Sequence, residues 1–357
     1  MDRKLYTLVL AGGSGERFWP LSRRESPKQL LSLFSRETLL EATLARLEGV
    51  VPPERVLVLT NQEQETAVRR VLPQLPPENI VAEPAKRDTA AAIALGVGWV
   101  AARDPEAVMA VLPADHLIED RPGFARTLAT AAAAAQQTGA LVTIGIRPEW
   151  ACPSFGYIEL GEAEPLPSPP AQSPAVHRVR RFREKPSREV AQQFLEQGNF
   201  RWNAGMFAWT LPEIRAAFAA HTPELAAFIT RLETGFEEAL RNDFTTLPKI
   251  SIDYAVMEKA RRVLVVEAAF AWDDVGGWVA AAKYWPGDDQ RNAARARLLA
   301  LESSGNIVYT ADPEMQVALL GVRDLIVVQT ADALLVCHRD EAEKIKSIVP
   351  HLPEALR

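Results

Sequence analysis

Apolar positions along this chain follow two periods in turn, an unbroken or alternating run of strand length and then a recurrence at helical spacing. The run at 5–10 reads as a buried strand, and 38–47 carries apolar residues at helical spacing. Strands are expected at 55–59 and 79–82, with a helix at 63–72 between them that Pro73 and Pro76-Pro77 close. An alanine-rich helix then runs to about residue 102, and Asp88 or Thr89 is expected to cap it. A buried strand at 107–112 leads into Pro113-Ala114-Asp115-His116, followed by a helix at 123–137 and a strand at 140–146. Alternation of this kind predicts an α/β fold, a Rossmann-like, mostly parallel sheet with helices on both faces. Its ligands belong at the carboxyl ends of the strands.

The pattern loosens after residue 150. Strands at 155–160 and 176–184 flank a proline- and serine-rich stretch, 161–174, that reads as a solvated excursion. Helices follow at 187–197, 211–220, 223–235 and 252–260, then a strand at 263–266 and a turn at 272–276. The charged stretch 288–297 reads as a boundary, dividing the chain into a domain of residues 1–290 and a small β-rich one of residues 298–357. In the latter, short strands at 306–309, 316–320, 325–329 and 333–337 precede a closing helix at 341–349. So few residues cover themselves poorly, so this segment is expected to pack on the first domain or on another subunit. Nothing in it looks catalytic.

Composition narrows the partners. With 357 residues, 48% of them apolar, the chain can build real cores, and a formal charge of −6 gives no footprint for nucleic acid or anionic membrane. No apolar run approaches the roughly 20 residues of a membrane span, and Met1-Asp2-Arg3-Lys4 leads into a strand rather than a signal peptide, so a cytoplasmic protein is expected. Cys152 and Cys337 lie far apart without metal-ligand spacing, which argues against a disulfide framework or a zinc site.

The candidate chemistry begins where the first strand ends, at Leu10-Ala11-Gly12-Gly13-Ser14-Gly15, with Arg17 and Lys28 just beyond. Glycines let backbone N–H groups approach polyphosphate oxygens, and fixed cations offset the charge. Two commoner glycine loops are excluded: the dinucleotide fingerprint would need glycine where Phe18 stands, and the other phosphate loop would need a lysine directly after the glycines. Four further candidates are Asp115 at a strand end, Glu184-Lys185-Pro186, the segment 202–207 and Asp274. An aspartate after a buried strand stands where a divalent metal on phosphates is held. Singly, each of these also reads as a cap, a solvated pair or a turn residue, and His116 reads as structural.

In order and wording, however, these stretches resemble one family. Leu10-Ala11-Gly12-Gly13-Ser14-Gly15-x-Arg17, Trp19-Pro20-Leu21-Ser22-Arg23 and Pro27-Lys28-Gln29 resemble the signature of sugar-1-phosphate nucleotidylyltransferases, and within them the mannose-1-phosphate guanylyltransferases. Glu83-Pro84, Arg87-x-Thr89, Pro113-Ala114-Asp115-His116, Phe155-Gly156-Tyr157-Ile158, Glu184-Lys185-Pro186, Trp202-Asn203-x-Gly205, Ser251-Ile252-Asp253-Tyr254 and Trp272-x-Asp274-Val275-Gly276 follow in register. Departures from the family's words stand at Glu16, Asp88, Ala204 and Asp273; Asp88 is expected to turn away from the nucleotide or to cap its helix.

The resemblance implies transfer of GMP from GTP to mannose 1-phosphate, giving GDP-mannose and pyrophosphate, with Mg2+ as cofactor. It assigns catalysis to Arg17, Lys28, Asp115, Lys185 and Asp274, and the metal to Asp115 and Asp274. It gives the nucleotide to Leu10, Ala11, Gly12, Gly13, Ser14, Gly15, Glu83, Arg87, Asp88 and Thr89. The sugar phosphate falls to Gly156, Glu184, Lys185 and Asn203. It further implies a single-activity form whose small β-helical tail helps to form a homodimer. Two alternatives stand beside it: another sugar-1-phosphate nucleotidylyltransferase, and a non-catalytic paralogue that binds nucleotide sugar.

Overall fold

The computed structural model describes residues 4–357; the expectation about the first four residues falls mostly on 1–3, outside the described residues. The first domain is built on a nine-stranded sheet. Its strands are β1 (Leu5–Leu10), β2 (Val56–Asn61), β3 (Ile80–Glu83), β4 (Val108–Pro113), β5 (Leu141–Ile146), β6 (Tyr157–Ala163), β7 (Val176–Arg183), β8 (Phe200–Thr210) and β9 (Val263–Glu267). They lie in the order β3-β2-β1-β4-β8-β5-β9-β7-β6. β1 pairs parallel with β2 and β4, β2 with β3, and β5 with β9. β8 is antiparallel to β4 and β5, and β7 is antiparallel to β9 and β6, so only β7 and β8 run against the other strands. The chain leaves β1 outward to β2 and β3 and returns on its other side as β4. The strand order therefore reverses beside β1, where an open sheet of this kind leaves a crevice at the carboxyl ends.

Local sequence explains most of the surrounding helices. Leu39–Ala45 starts at a capping box, in which the Thr38 hydroxyl accepts from the Glu41 N–H and the Glu41 carboxylate accepts from the Thr38 N–H. Arg121–Thr138 is capped by Asp120, whose carboxylate accepts from the Gly123 N–H at 2.8 Å. The helix Asp88–Ala101 departs from expectation: neither Asp88 nor Thr89 caps it. Asp88 is already inside the helix with a φ of +58°, and the Thr89 hydroxyl accepts instead from the Ile252 N–H at 2.9 Å.

Four other expectations change. Residues 202–207, read only as a segment, lie within β8, an 11-residue strand buried between β4 and β5 whose polar and glycine interruptions hide its period. The helix Phe236–Asp243 was not anticipated. The expected helix at 252–260 is a π-helical turn, Asp253–Met257, and residues 161–163 belong to β6 rather than to the loop.

The small C-terminal domain stacks short strands: β10 (Ala293–Arg295), β11 (Arg297–Leu301), β12 (Ile307–Thr310), β13 (Gln316–Leu320), β14 (Leu325–Gln329) and β15 (Leu334–His338). β10, β12 and β14 pair in parallel, as do β11 and β13, while β15 returns antiparallel on β14. Buried Asn292 and Asn306 bridge the stack, the Asn292 side-chain oxygen accepting from the Asn306 side-chain amide at 2.8 Å. β10, only three residues long, and the apolar β11 were not expected, because the charged stretch 288–297 reads as a boundary, and the closing segment is a 3-10 helix, Arg339–Lys344, followed by a short α-helix, Ile345–Ile348. The domain packs on the first one: Ile307, Ile326, Val328, Leu335 and Ile345 share a core with Phe18, Trp19, Leu31, Leu33 and Trp278.

Candidate functional site

The glycine turn leaves β1 at the strand-order reversal, and side chains fix it from behind. The Gln29 amide, buried, donates to the carbonyls of Ala11 at 2.8 Å and Gly13 at 3.3 Å and to the Gln64 side-chain oxygen at 3.1 Å. Gln64 donates back to the Gly13 carbonyl at 3.2 Å, the Thr60 hydroxyl to Ala11 at 3.2 Å, Asn61 to Gly12 at 3.5 Å and the Ser22 hydroxyl to Gly15 at 2.8 Å. The carbonyls of Ala11, Gly12, Gly13 and Gly15 are thus satisfied from within the protein. Among the described residues, no protein acceptor takes the N–H groups of Gly12, Gly13, Ser14 or Gly15. An anion is the ligand such a turn suits, because buried or half-buried donors left unpaired cost free energy until something accepts from them. Gly15 has φ +63°, and a Cβ there would stand 2.3 Å from the Lys28 Cβ; no other residue type fits.

Facing the turn is a cavity of about 330 Å3 that contains Arg17, Lys28, Asp115 and Asp274. Lys28 is only 7% exposed, and its ammonium donates to the Asp115 carboxylate at 2.8 Å and to the Asp274 backbone carbonyl. Burial alone would raise the Asp115 carboxyl, but the Lys28 ammonium holds it below its ordinary range. Burial pushes Asp274 up to about 6; Lys28 opposes that rise, and the Asp273 and Asp115 carboxylates add to it. Asp273 has other duties: it accepts from Lys283 at 3.1 Å, from the Tyr284 hydroxyl at 3.2 Å and from the Val275 N–H at 2.8 Å. Burial draws His116 down to about 4, and its Nδ1 accepts from the Trp272 indole N–H at 3.0 Å, so the ring is a neutral packing group.

Among the described residues no group of three or more His, Cys, Asp and Glu side chains could hold a metal alone. Asp115 and Asp274 give one cavity two carboxylates, a donor set that fits Mg2+ sharing its coordination with phosphate oxygens.

A second cluster lies where β6, β7 and β8 meet. The Asn203 N–H donates to the Gly156 carbonyl at 2.8 Å; its side-chain oxygen accepts from the Gly205 N–H at 3.2 Å, and its amide donates to Asp253 at 2.7 Å. Burial raises Asp253, which Asn203 counteracts. Glu184 lies so near Gly156 that a Cβ on the glycine would stand 2.7 Å from the carboxylate. Lys185, with φ +42°, pairs with Glu184 at 3.1 Å and leaves 66% of its side chain exposed.

The remaining predicted residues are dispersed around the β3 end. Burial pushes Glu83 up to about 8, with its carboxylate 3.4 Å from where a Cβ on Gly12 would be. Asp88 is exposed, and the Arg87 guanidinium donates to the Thr245 carbonyl. Residue reasoning missed the roles of Gln29, Gln64 and Asp253. Gln29 and Asp253 stand inside the quoted motifs, but the Gln64 partnership depends on a helix 35 residues away in sequence. Glu343 and Lys346 also went unremarked. Arg17 Nε lies 2.9 Å from the Glu343 carboxylate, and Lys346 lines the same cavity as Lys28.

A family model described as Nucleotidyl transferase matches residues 6–287, and one described as MannoseP isomerase/GMP-like beta-helix domain matches residues 296–352. The mannose-1-phosphate guanylyltransferase of Klebsiella pneumoniae is 35% identical over 361 aligned residues, which cover 99% of this chain and 75% of that one. Mannose-1-phosphate guanylyltransferase 2 of Escherichia coli O157:H7 is 33% identical, covering 98% of this chain and 74% of its own length. A crystal structure from Thermus thermophilus, described as a mannose-1-phosphate geranyltransferase, is 40% identical with a TM-score of 0.85, over 98% of this chain and 99% of that one.

Proposed function

The chain belongs to the mannose-1-phosphate guanylyltransferase family of nucleotidyl transferases, and from that premise we propose that it transfers GMP from GTP to α-D-mannose 1-phosphate, giving GDP-mannose and pyrophosphate. The observation that carries this reading is the turn itself: the carbonyls of Ala11, Gly12, Gly13 and Gly15 are tied back by Gln29, Gln64, Thr60, Asn61 and Ser22, the N–H groups of residues 12–15 meet no protein acceptor among the described residues, and Arg17 and Lys28 face it. That arrangement suits a triphosphate.

A sugar-phosphate oxygen forms a bond to the α-phosphorus while the bond from that phosphorus to the α–β bridging oxygen breaks. The electron pair leaves on pyrophosphate. The attacking phosphate monoester is already anionic at neutral pH, with a second pKa near about 6, so no general base is needed. Positioning and charge supply the catalysis. Gly12, Gly13, Ser14 and Gly15 hold the triphosphate, Lys28 meets the charge growing at the α-phosphate, and Arg17 meets the leaving group. Asp115 and Asp274 are the residues that would hold Mg2+, which when bound neutralises charge on the phosphates. Lys185 steadies the sugar phosphate, while Glu184, Asn203 and the Gly156 backbone hold mannose hydroxyls, with Asp253 fixing the Asn203 amide. Leu10, Ala11, Glu83 and the segment 87–89, with Arg87, Asp88 and Thr89, border the base.

The same reading makes the protein a cytoplasmic homodimer. Among the described residues no helix is long and apolar enough to cross a membrane. Leu299, Leu301 and Leu320 are exposed on β11 and β13 and Leu334 and Val336 on β15, and these apolar side chains support a second copy as what covers them. Light scattering is expected near twice 39.3 kDa.

The deciding assay is pyrophosphate release from GTP and mannose 1-phosphate with Mg2+, beside Asp115→Asn and Asp274→Asn. Release that requires all three reagents and falls at least about a hundredfold in both variants is expected, the scale of losing one charge contact in the transition state. Absence of release with any nucleotide and sugar phosphate, together with retained GDP-mannose binding, would replace the transferase with a binding protein.

A further inference from the structure

The triphosphate cavity holds one residue that the first domain does not supply. Lys346 lines it together with Arg17, Lys28, Asp115 and Asp274, although the next most distant lining residue in sequence is Gly276. Its position is fixed by its neighbour: Ile345 is buried in the core that contains Phe18 and Trp19, and the helix Ile345–Ile348 rests on the turn Glu16–Phe18 that carries Arg17. The backbone of residue 346 is anchored at the cavity while its side chain remains exposed.

The pairing of charges separates the three cations. Lys28 is paired with Asp115 at 2.8 Å, and Arg17 with Glu343 at 2.9 Å across the interface between the domains. Lys346 forms no ion pair among the described residues. The Arg17–Glu343 pair is loose in kind: the charges are close, but the Arg17 Nε–H makes no aligned hydrogen bond. A phosphate with several acceptor oxygens can replace such a carboxylate and gain aligned bonds.

We propose that the C-terminal domain completes the pyrophosphate subsite: Lys346 is a cation for the leaving pyrophosphate, and Glu343 holds Arg17 until the triphosphate takes its place. The proposal rests on the transferase reading for its reaction. As the bond between the α-phosphorus and the bridging oxygen breaks, negative charge collects on the departing β-phosphate. The Lys346 ammonium offsets it without any proton transfer. In the reverse direction the same residue draws free pyrophosphate to the nucleotide sugar.

The test compares Lys346→Ala, Lys346→Arg and Glu343→Gln with the parent protein in the reverse reaction, from GDP-mannose and pyrophosphate. Lys346→Ala is expected to raise KM for pyrophosphate about tenfold, the loss of one charge-assisted contact, while KM for GDP-mannose and the melting temperature stay put. Lys346→Arg restores most of it. Glu343→Gln is expected to lower KM for pyrophosphate by about twofold or more, since Arg17 no longer has a competing carboxylate. An unchanged KM for pyrophosphate in Lys346→Ala, or equal rises for both substrates, overturns the subsite. Calorimetric titration with inorganic pyrophosphate separates the two readings. If the parent turns nothing over, the transferase reading fails, and weaker pyrophosphate binding by Lys346→Ala still supports the subsite while equal binding overturns it.

Discussion

The two ends of the proposed site are built differently. At the nucleotide end, five side chains hold the carbonyls of the turn 11–15, and its cation Lys28 is 7% exposed and paired on two sides. At the sugar end, Lys185 has a side chain 66% exposed, sits at positive φ and meets one carboxylate of its own motif. Donors fixed beforehand need little reorganisation when charge develops, whereas an exposed lysine keeps its rotamer freedom until substrate orders it. On the proposed reading the reacting α-phosphate lies against the pre-organised end, and substrate capture is left to the exposed one.

Lys28→Ala probes that contrast most strongly. It is expected to cut the rate of pyrophosphate release at least about a hundredfold and to cost about 1–3 kcal/mol in a denaturant titration, because Asp115 loses its partner in a partly buried site. Gln29→Leu tests the scaffold alone. Leaving the Ala11 carbonyl and the Gln64 side chain short of a buried donor should cost about 1–3 kcal/mol, raise KM for GTP and leave KM for mannose 1-phosphate where it was. Lys185→Ala is expected to behave oppositely, raising KM for mannose 1-phosphate about tenfold, one charge contact, without a change in melting temperature. Equal destabilisation by Lys185→Ala and Gln29→Leu would erase the contrast between pre-organised and exposed ends.

The smallest effect concerns Glu83, whose burial raises its carboxyl from 4.5 to about 8. A raised folded value means that the folded state binds the proton more tightly than the unfolded one. Its contribution is fully present below about pH 4.5 and is lost as the pH rises towards about 8. Stability of the ligand-free protein should decline across that window, and Glu83→Gln should flatten the decline in melting curves taken at successive pH values.

Much of the first domain was legible because its signals are local. An apolar run ending in glycines gives a strand and a turn whatever surrounds it, and apolar residues at helical spacing mark the helices near 38–47 and 123–137, although the caps at Thr38 and Asp120 that set their starts were not read. Strand β8 was obscured because Asn203 and Gly205 break its apolar period for reasons that lie outside the strand: Asn203 serves Asp253 and Gly156, partners far along the chain. Asp88 or Thr89 reads as a cap because both residue types favour one, yet Asp88 lies inside the helix at φ +58°, the Thr89 hydroxyl is committed to the Ile252 N–H and the Ala90 N–H to the Ile250 carbonyl.

Sequence by itself determined the succession of elements, the glycine turn and the presence of Arg17, Lys28, Asp115 and Asp274, since residue type and short spacing carry that chemistry. Only the tertiary structure decided that these four share one cavity, that Asp273 is bound to Lys283 and Tyr284 while Asp274 faces the cavity, and that the C-terminal domain brings Lys346 into it and Glu343 against Arg17. The physical reason is separation along the chain. Arg17 and Glu343 carry no mutual signal over more than three hundred residues, and burial of Ile345 against Phe18 is what brings their charges together.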